Sequence, residues 1–473
     1  MRYAVKSMRF STPTFLVLLT TLAMSVAASA AQRPPLLEAA WNADREAVRA
    51  LVQKKVDVNL AEGDGTTALH WASYRDDVEM ADLLIRAGAN LNAANDLGTT
   101  PLWTACLNGS SEMVRKLLES GAHPNQALLL GETPVMVAAR SGNPDVVAQL
   151  VAKGADVNAR TARGQTALMW AVAQKHADVV KVLLANGADI HARSDVWSQV
   201  MAVPPHGRLE YNRNIPHGGD TALMFAARVG DLESAKLLVA TGANVNDADA
   251  WGVSAMVLAA HSGFAEVAEF LLEKGADPNS AAAGFTALHE AIVRRDERIV
   301  AALLARGADA NAPLKTWTPT RRSSNDWNFA PEFVGATPFW LAARFAQPNM
   351  MRLLLEHGAD SKVVHRASYH AGDPATPRTQ ATTALMAAAG MGGGIAWVRP
   401  ARAEPEAAML EAVKLAVEQG VDVNVANIDG RTALDAARAL KYQTVVAFLE
   451  EHGARPGTPS AEAPARRGPP PRE

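Results

Sequence analysis

The strongest constraint on this chain is that it keeps restarting. A stretch that begins at Gly65, GTTALHWASYRDDVEMADLLIRAGANLNAANDL, is followed by GTTPLWTAC at Gly98, GETPVMVAA at Gly131 and GQTALMWAV at Gly164. These restarts lie 33 residues apart. The same opening returns at Gly219, Gly252, Gly284, Gly335 and Gly430, and without its glycine at Ala381. A unit this short cannot bury both of its faces, so a fixed period of this size demands neighbours stacked on one another.

Each feature of the unit has a local cause. Thr67, Thr100, Thr133 and Thr166 stand where a helix needs an N-cap oxygen to accept an orphan N–H. Pro101, Pro134 and Pro338 follow such a threonine, at a first helical position that needs no N–H. An Ala-rich first helix follows, turned in several units by Gly109, Gly142, Gly230 or Gly263. The second helix carries apolar pairs one turn apart, as in Val146/Val147 with Leu150/Val151 and Val179/Val180 with Leu183/Leu184, which makes one apolar stripe. It stops at Gly88, Gly121, Gly154, Gly187, Gly242, Gly275, Gly307, Gly358, Gly420 or Gly453, the residue type that a left-handed helix end favours.

Over about residues 36–454 the chain resembles the ankyrin repeat family, whose unit is a β-turn plus two helices with a T-P-L-H-x-A signature. The resemblance implies an all-α repeat solenoid of helix-turn-helix units joined by β-hairpin turns. It also implies a non-catalytic role in protein–protein contact.

The chain in order suggests five parts. Residues 1–30 read as a secretory signal: Arg2, Lys6 and Arg9, an apolar run from Phe15 to Met24, and Ala28-Ser29-Ala30 as the cleavage site. The expected address is the periplasm or the exterior. An uncleaved anchor is the alternative, and no membrane contact is expected after cleavage. Loss of those three charges takes the net charge from −3 to −6, which leaves no nucleic-acid footprint. Residues 31–64 read as a capping helix pair, 65–454 as an array of about ten units, and 455–473 as a disordered Pro-rich tail. The threonine spacing then lengthens in four places: 55 from Thr166 to Thr221, 51 from Thr286 to Thr337, 46 from Thr337 to Thr383 and 49 from Thr383 to Thr432. The extra residues fall near 195–217, 315–334, 361–380 and 391–408. The first three enlarge the hairpin between units and project from one edge; the fourth separates the two helices of one unit.

Catalytic and metal signatures are sparse. HExxH, a Walker loop and GxSxG do not occur. Asp247 to Gly252 starts like a calcium loop but has Trp251 at the fifth position and Leu258 at the twelfth, so it reads as a hairpin. Gly390 to Gly394 follows a helix and reads as a helix stop. His357, Asp360, His365, His370 and Asp373 lack an ordered ligand spacing. His70 and His289 read as hydrogen-bonded structural residues, and the lone Cys106 as a small buried hydrophobe. No catalytic residue, metal or cofactor is expected, and the chain is expected to be a monomer.

The aromatic residues of the insertions carry more information, because Trp, Tyr and Arg are the usual anchors of interfaces. Trp197, Tyr211, Trp317, Trp327, Phe329, Phe333, Tyr369 and Trp397 all fall there. Either they bind a partner or they tie each loop back to the array. The first three insertions are slightly basic: two Arg and one Glu in 197–217, three basic and two acidic residues in 315–334, three and one in 361–380. Trp317, Arg321, Arg322 and Trp327, then Trp197 and Tyr211, are therefore the expected contacts for a protein partner with an acidic surface. A glycan or cell-wall ligand held by the loop tryptophans, or an enzyme site built from the insertions, are the alternatives.

Overall fold

The computed structural model describes residues 33–201, 213–318, 329–370, 377–392 and 404–458. The chain divides into two compact units at Leu129 and Leu130. The first holds the helix pairs Pro35–Trp41 with Arg45–Gln53, Ala68–Tyr74 with Val78–Arg86, and Pro101–Asn108 with Ser111–Glu119. The second begins with Pro134–Ser141 and Pro144–Ala152, then Ala167–Ala173 and Ala177–Ala185. It continues with Ala222–Val229 and Leu232–Ala240, Ala255–Ser262 and Ala265–Glu273, and Ala287–Arg294 and Glu297–Ala305. Pro338–Arg344 and Pro348–Glu356, Ala384–Ala388 and Glu404–Glu418, and Ala433–Leu440 and Gln443–Glu451 complete it. Within each unit, first helices pack on first helices and second on second, as a helical repeat solenoid requires.

The caps explain the boundaries. Thr100 Oγ1 accepts the N–H of Trp103 at 3.1 Å, and Pro101 opens the helix beside it. Several second helices start on a different cap, an Asx side chain: Asp77 accepts from Met80 N at 2.9 Å and Asp231 from Ser234 N at 3.0 Å. They end in a left-handed glycine. At Gly154, φ is +86°, its N–H bonds Val151 O at 2.9 Å, and the next N–H bonds Leu150 O at 3.0 Å. Cys106 is fully buried, and burial pushes its thiol pKa up.

A side-chain ladder ties one unit to the next. Asn158 Nδ2 donates to Gly187 O at 3.0 Å, while its Oδ1 accepts from Asp189 N at 2.8 Å. Asn59, Asn246, Asn279 and Asn424 repeat both bonds one unit on. Asn311 does so across the second insertion, reaching Gly358 O at 2.9 Å and Asp360 N at 2.7 Å. The extra residues therefore leave the stacking of the helices intact. The place of the asparagine ahead of the first insertion is taken by His191, and a clamp stands two residues on: Arg193 Nη1 donates to Gly219 O at 2.9 Å and Ala248 O at 2.8 Å, with Nη2 2.9 Å from Asp247.

Two insertions expected as loops contain antiparallel ribbons. In the first, β1 (Trp197–Met201) pairs with β2 (Arg213–His217) in the register Trp197↔His217 to Met201↔Arg213. In the third, β3 (His365–His370) pairs with β4 (Pro377–Thr382), from His365↔Thr382 to His370↔Pro377. Phe329 and Phe333 of the second insertion are fully buried. Phe329 lies 5.2 Å from Phe285, and Phe333 lies 5.6 Å from Phe345. These two aromatics are straps that tie the loop down, the second of the two roles open to them.

His70 and His289 hold the structural role expected of them. His289 Nδ1 receives the Thr286 N–H at 3.1 Å and Thr286 Oγ1 at 2.8 Å, and its Nε2 lies 3.1 Å from Ala312 O. A backbone N–H can only donate, so Nδ1 is the acceptor and Nε2 carries the proton. His70 repeats the arrangement with Thr67 and Thr99 O. Burial lowers the His289 pKa to about 4.

Two measurements check these assignments. A Cβ at Gly154 meets nothing within 4 Å, so Gly154→Val tests the backbone alone and should cost about 1–2 kcal/mol in urea unfolding; an unchanged midpoint would contradict the left-handed helix end. Between pH 6.5 and about 4 the unfolded chain binds a proton on His289 that the native chain refuses. Its contribution is full above pH 6.5 and is lost as pH falls, with a slope of up to about 1.4 kcal/mol per pH unit. His289→Gln should be less stable at pH 7 and show a shallower loss between pH 6.5 and 4; equal slopes would contradict the neutral tautomer.

Candidate functional site

The first insertion encloses space. Its ribbon stands over the first-helix face of the second unit and closes a cleft of about 490 Å³. Trp197, Ile215 and His217 of the ribbon line it together with Trp251, Val253, Leu258, His261 and Ser262 of the following repeat. Asp195, Asp220, Asp249, Arg163 and Arg228 supply its charges.

The stem is fixed by the hairpins on either side. Asp195 N donates to Arg163 O at 2.9 Å and Ala250 N to Gly218 O at 2.9 Å. Gly219 N reaches Ser194 O at 3.0 Å, and Asp220 N reaches Ser194 Oγ at 3.1 Å. Gly218 is needed here: its φ is +82°, and a Cβ would overlap the carbonyl oxygen of Asp195. The cross-strand pair Trp197 and His217 then stacks at 4.5 Å with the rings 23° apart. The Arg163 guanidinium lies 5.7 Å from the centre of the Trp197 ring. Trp197 stays 42% exposed, available to a further contact.

The charges sit in layers. Asp220 is buried and holds Arg228 Nη2 at 2.8 Å. Asp249 Oδ1 accepts the N–H groups of Trp251 and Val253 at 2.9 and 2.8 Å, closing the hairpin tip. The Asp249 carboxyl pKa is raised, first by burial and then by the neighbouring Asp220 carboxylate, with the Val253 and Trp251 N–H groups and then Arg228 offsetting part of the effect. Behind the wall, His261 Nδ1 lies 3.1 Å from Glu290 Oε2. Glu290 is only 2% exposed, and its Oε1 has no hydrogen-bond partner among the described residues. No group of three His, Cys, Asp or Glu able to hold a metal ion occurs among the described residues. The arrangement can bind a polar side chain between aromatic walls.

Of the residues expected to bind, Trp197 forms a wall of this cleft. Trp317 is half-buried and is not part of it. Tyr211, Arg321, Arg322 and Trp327 lie outside the described residues. His365 is buried against Trp340, 4.2 Å between ring centres, with Nε2 3.1 Å from Val334 O, which accounts for one histidine of the third insertion. Asp220, Arg228, Asp249, His261 and Glu290 were not singled out from the sequence. One signal was there: six residues past the repeat glycine stand Trp71, Thr104, Val137, Trp170, Phe225, Leu258, Leu341 and Ala436, and Glu290 is the single acid in that row.

Comparison with known proteins agrees with the fold. The family model for ankyrin repeats in three copies matches residues 36–128, 124–194, 206–282 and 223–313, and a single ankyrin repeat matches residues 334–366. The chain belongs to the ankyrin repeat family. Among solved structures it is similar to the crystal structure of the human ASB11 ankyrin repeat domain, at 30% identity and a TM-score of 0.43, over 52% of this chain and 100% of that one. No curated protein matches the chain.

Gly218→Ala should open the ribbon stem. Its cost in urea unfolding is expected to exceed that of Gly154→Ala, because a backbone overlap adds to about 1–2 kcal/mol of left-handed strain. Equal costs would mean that the Asp195 contact is dispensable.

Proposed function

We propose that the chain is a non-catalytic scaffold that holds a protein partner in the periplasm or outside the cell. Ankyrin repeats generally mediate protein–protein contact, which supports the class of function. The observation that carries the reading is the cleft itself. The first insertion turns an open repeat surface into an aromatic-walled pocket of about 490 Å³, a form suited to one anchor side chain. The surrounding helices are fixed by caps and by the asparagine ladder, so little ordering remains to oppose binding. The signal-like residues 1–30 support the address.

Trp197→Ala should weaken partner capture by about thirtyfold, equivalent to roughly 2 kcal/mol for a central anchor. Retention at unchanged affinity, with the variant folded, would rule out the cleft as the contact. Exported protein should begin at or near Ala31 and be released by osmotic shock; full-length chain in the membrane fraction would overturn the address. Capture of glycan in place of protein would replace scaffold with lectin.

A further inference from the structure

We propose that the cleft beneath the first hairpin receives a basic side chain, arginine or lysine, presented by the partner. This rests on the scaffold reading and names the chemistry of its anchor. The geometry comes first. Trp197 of the ribbon and Trp251 of the following hairpin both line the cleft, and an aromatic face near a guanidinium or ammonium attracts it.

The acceptor comes second. Asp249 uses Oδ1 for two backbone N–H groups, and its Oδ2 receives no hydrogen bond among the described residues. Glu290 pairs with His261 behind the lining and does not itself face the cleft, so Asp249 is the acceptor that the proposal uses. The cations nearby are committed elsewhere: Arg228 to Asp220, Arg160 to Asp195, and Arg193 to Asp247 and two carbonyls. Arg163 forms no ion pair among the described residues and lies over Trp197, where it suits an acidic residue flanking the basic one. The slight positive balance of the insertions had pointed to an acidic partner surface; the cleft wants the opposite sign inside and that sign only at its rim.

The charge on Asp249 is not needed for folding. Asn95 and Asn427 accept the same pair of N–H groups at their own hairpin tips, at 2.9–3.1 Å, and Thr161 does so with a hydroxyl. A half-buried carboxylate placed where neutral groups suffice, beside the second carboxylate of Asp220, is costly until a cation joins it.

The test uses the mature chain and three capped tripeptides, acetyl-Ala-X-Ala-amide with X as Arg, Gln or Glu. The ten tryptophans give separate indole N–H signals in NMR, and Trp197→Phe and Trp251→Phe assign the two of interest. The Arg peptide should shift those two signals in a saturable way, and Asp249→Asn should weaken its affinity about tenfold while leaving the other indole signals in place. Should Asp249→Asn disturb its hairpin, Asp249→Thr, the acceptor that Thr161 supplies at its own tip, serves as the second variant with the same expected direction. Equal or tighter binding of the Glu or Gln peptide, or an unchanged Arg affinity in both variants, overturns the proposal. If Trp197→Ala loses the partner while the Arg peptide fails, the scaffold reading stands and only the basic anchor falls. If neither variant affects the partner, the scaffold site falls with it.

Discussion

The structure depends on one constraint: a helix pair with apolar residues on both faces is stable only between neighbours. Hydrophobic packing supplies the attraction, but it does not by itself fix the offset between units. The asparagine that follows most of the second helices does. With one donor and one acceptor it bonds the terminal glycine carbonyl and a backbone N–H of the next unit, as Asn279 does with Gly307 and Asp309. Each bond is worth about 1 kcal/mol. The larger contribution is geometric, since the ladder satisfies exposed helix-end carbonyls at a constant spacing.

That spacing lets the chain carry long insertions without losing register. Asn311 spans the second insertion with the same two bonds that other asparagines make across a standard unit. Where the ladder residue is His191, the Arg193 clamp does the joining, and this is the point at which the chain builds its cleft. The cleft is an addition to the stack of helix pairs. The ribbon β1–β2 contributes Trp197 and His217, the neighbouring hairpin tips contribute Asp220 and Asp249, and the first helices contribute Arg228 and His261.

Much of the fold was legible because it is local. Threonine caps, proline at the first helical turn and glycine at the helix end state their structure in sequence, and Thr100, Pro101 and Gly154 adopt it. The ribbon in the first insertion was not legible, since Trp197–Met201 and Arg213–His217 have no tight two-residue turn between them. The Asx caps of the second helices, such as Asp77 and Asp231, were readable in principle but are masked by the variety of residues at that position. The site was the least legible part. Asp249 looks like any hairpin residue, and what distinguishes it from Asn95 is its carboxylate and the neighbouring Asp220. Trp197 was accessible to sequence reasoning because a tryptophan in an inserted segment is not explained by turns, caps or core. Phe329 and Phe333 met the same criterion and turned out to be straps, buried against Phe285 and Phe345.

The central claim is that recognition happens in the cleft that the first ribbon creates. Hydrogen–deuterium exchange of the mature protein, with and without its bound partner, tests this most directly. The account predicts added protection at Trp197–Met201, Arg213–His217 and the tip from Asp249 to Val253, with the second helices such as Ala265–Glu273 unchanged. Protection confined to those second helices, with the ribbon exchanging as it does in the free protein, would contradict it.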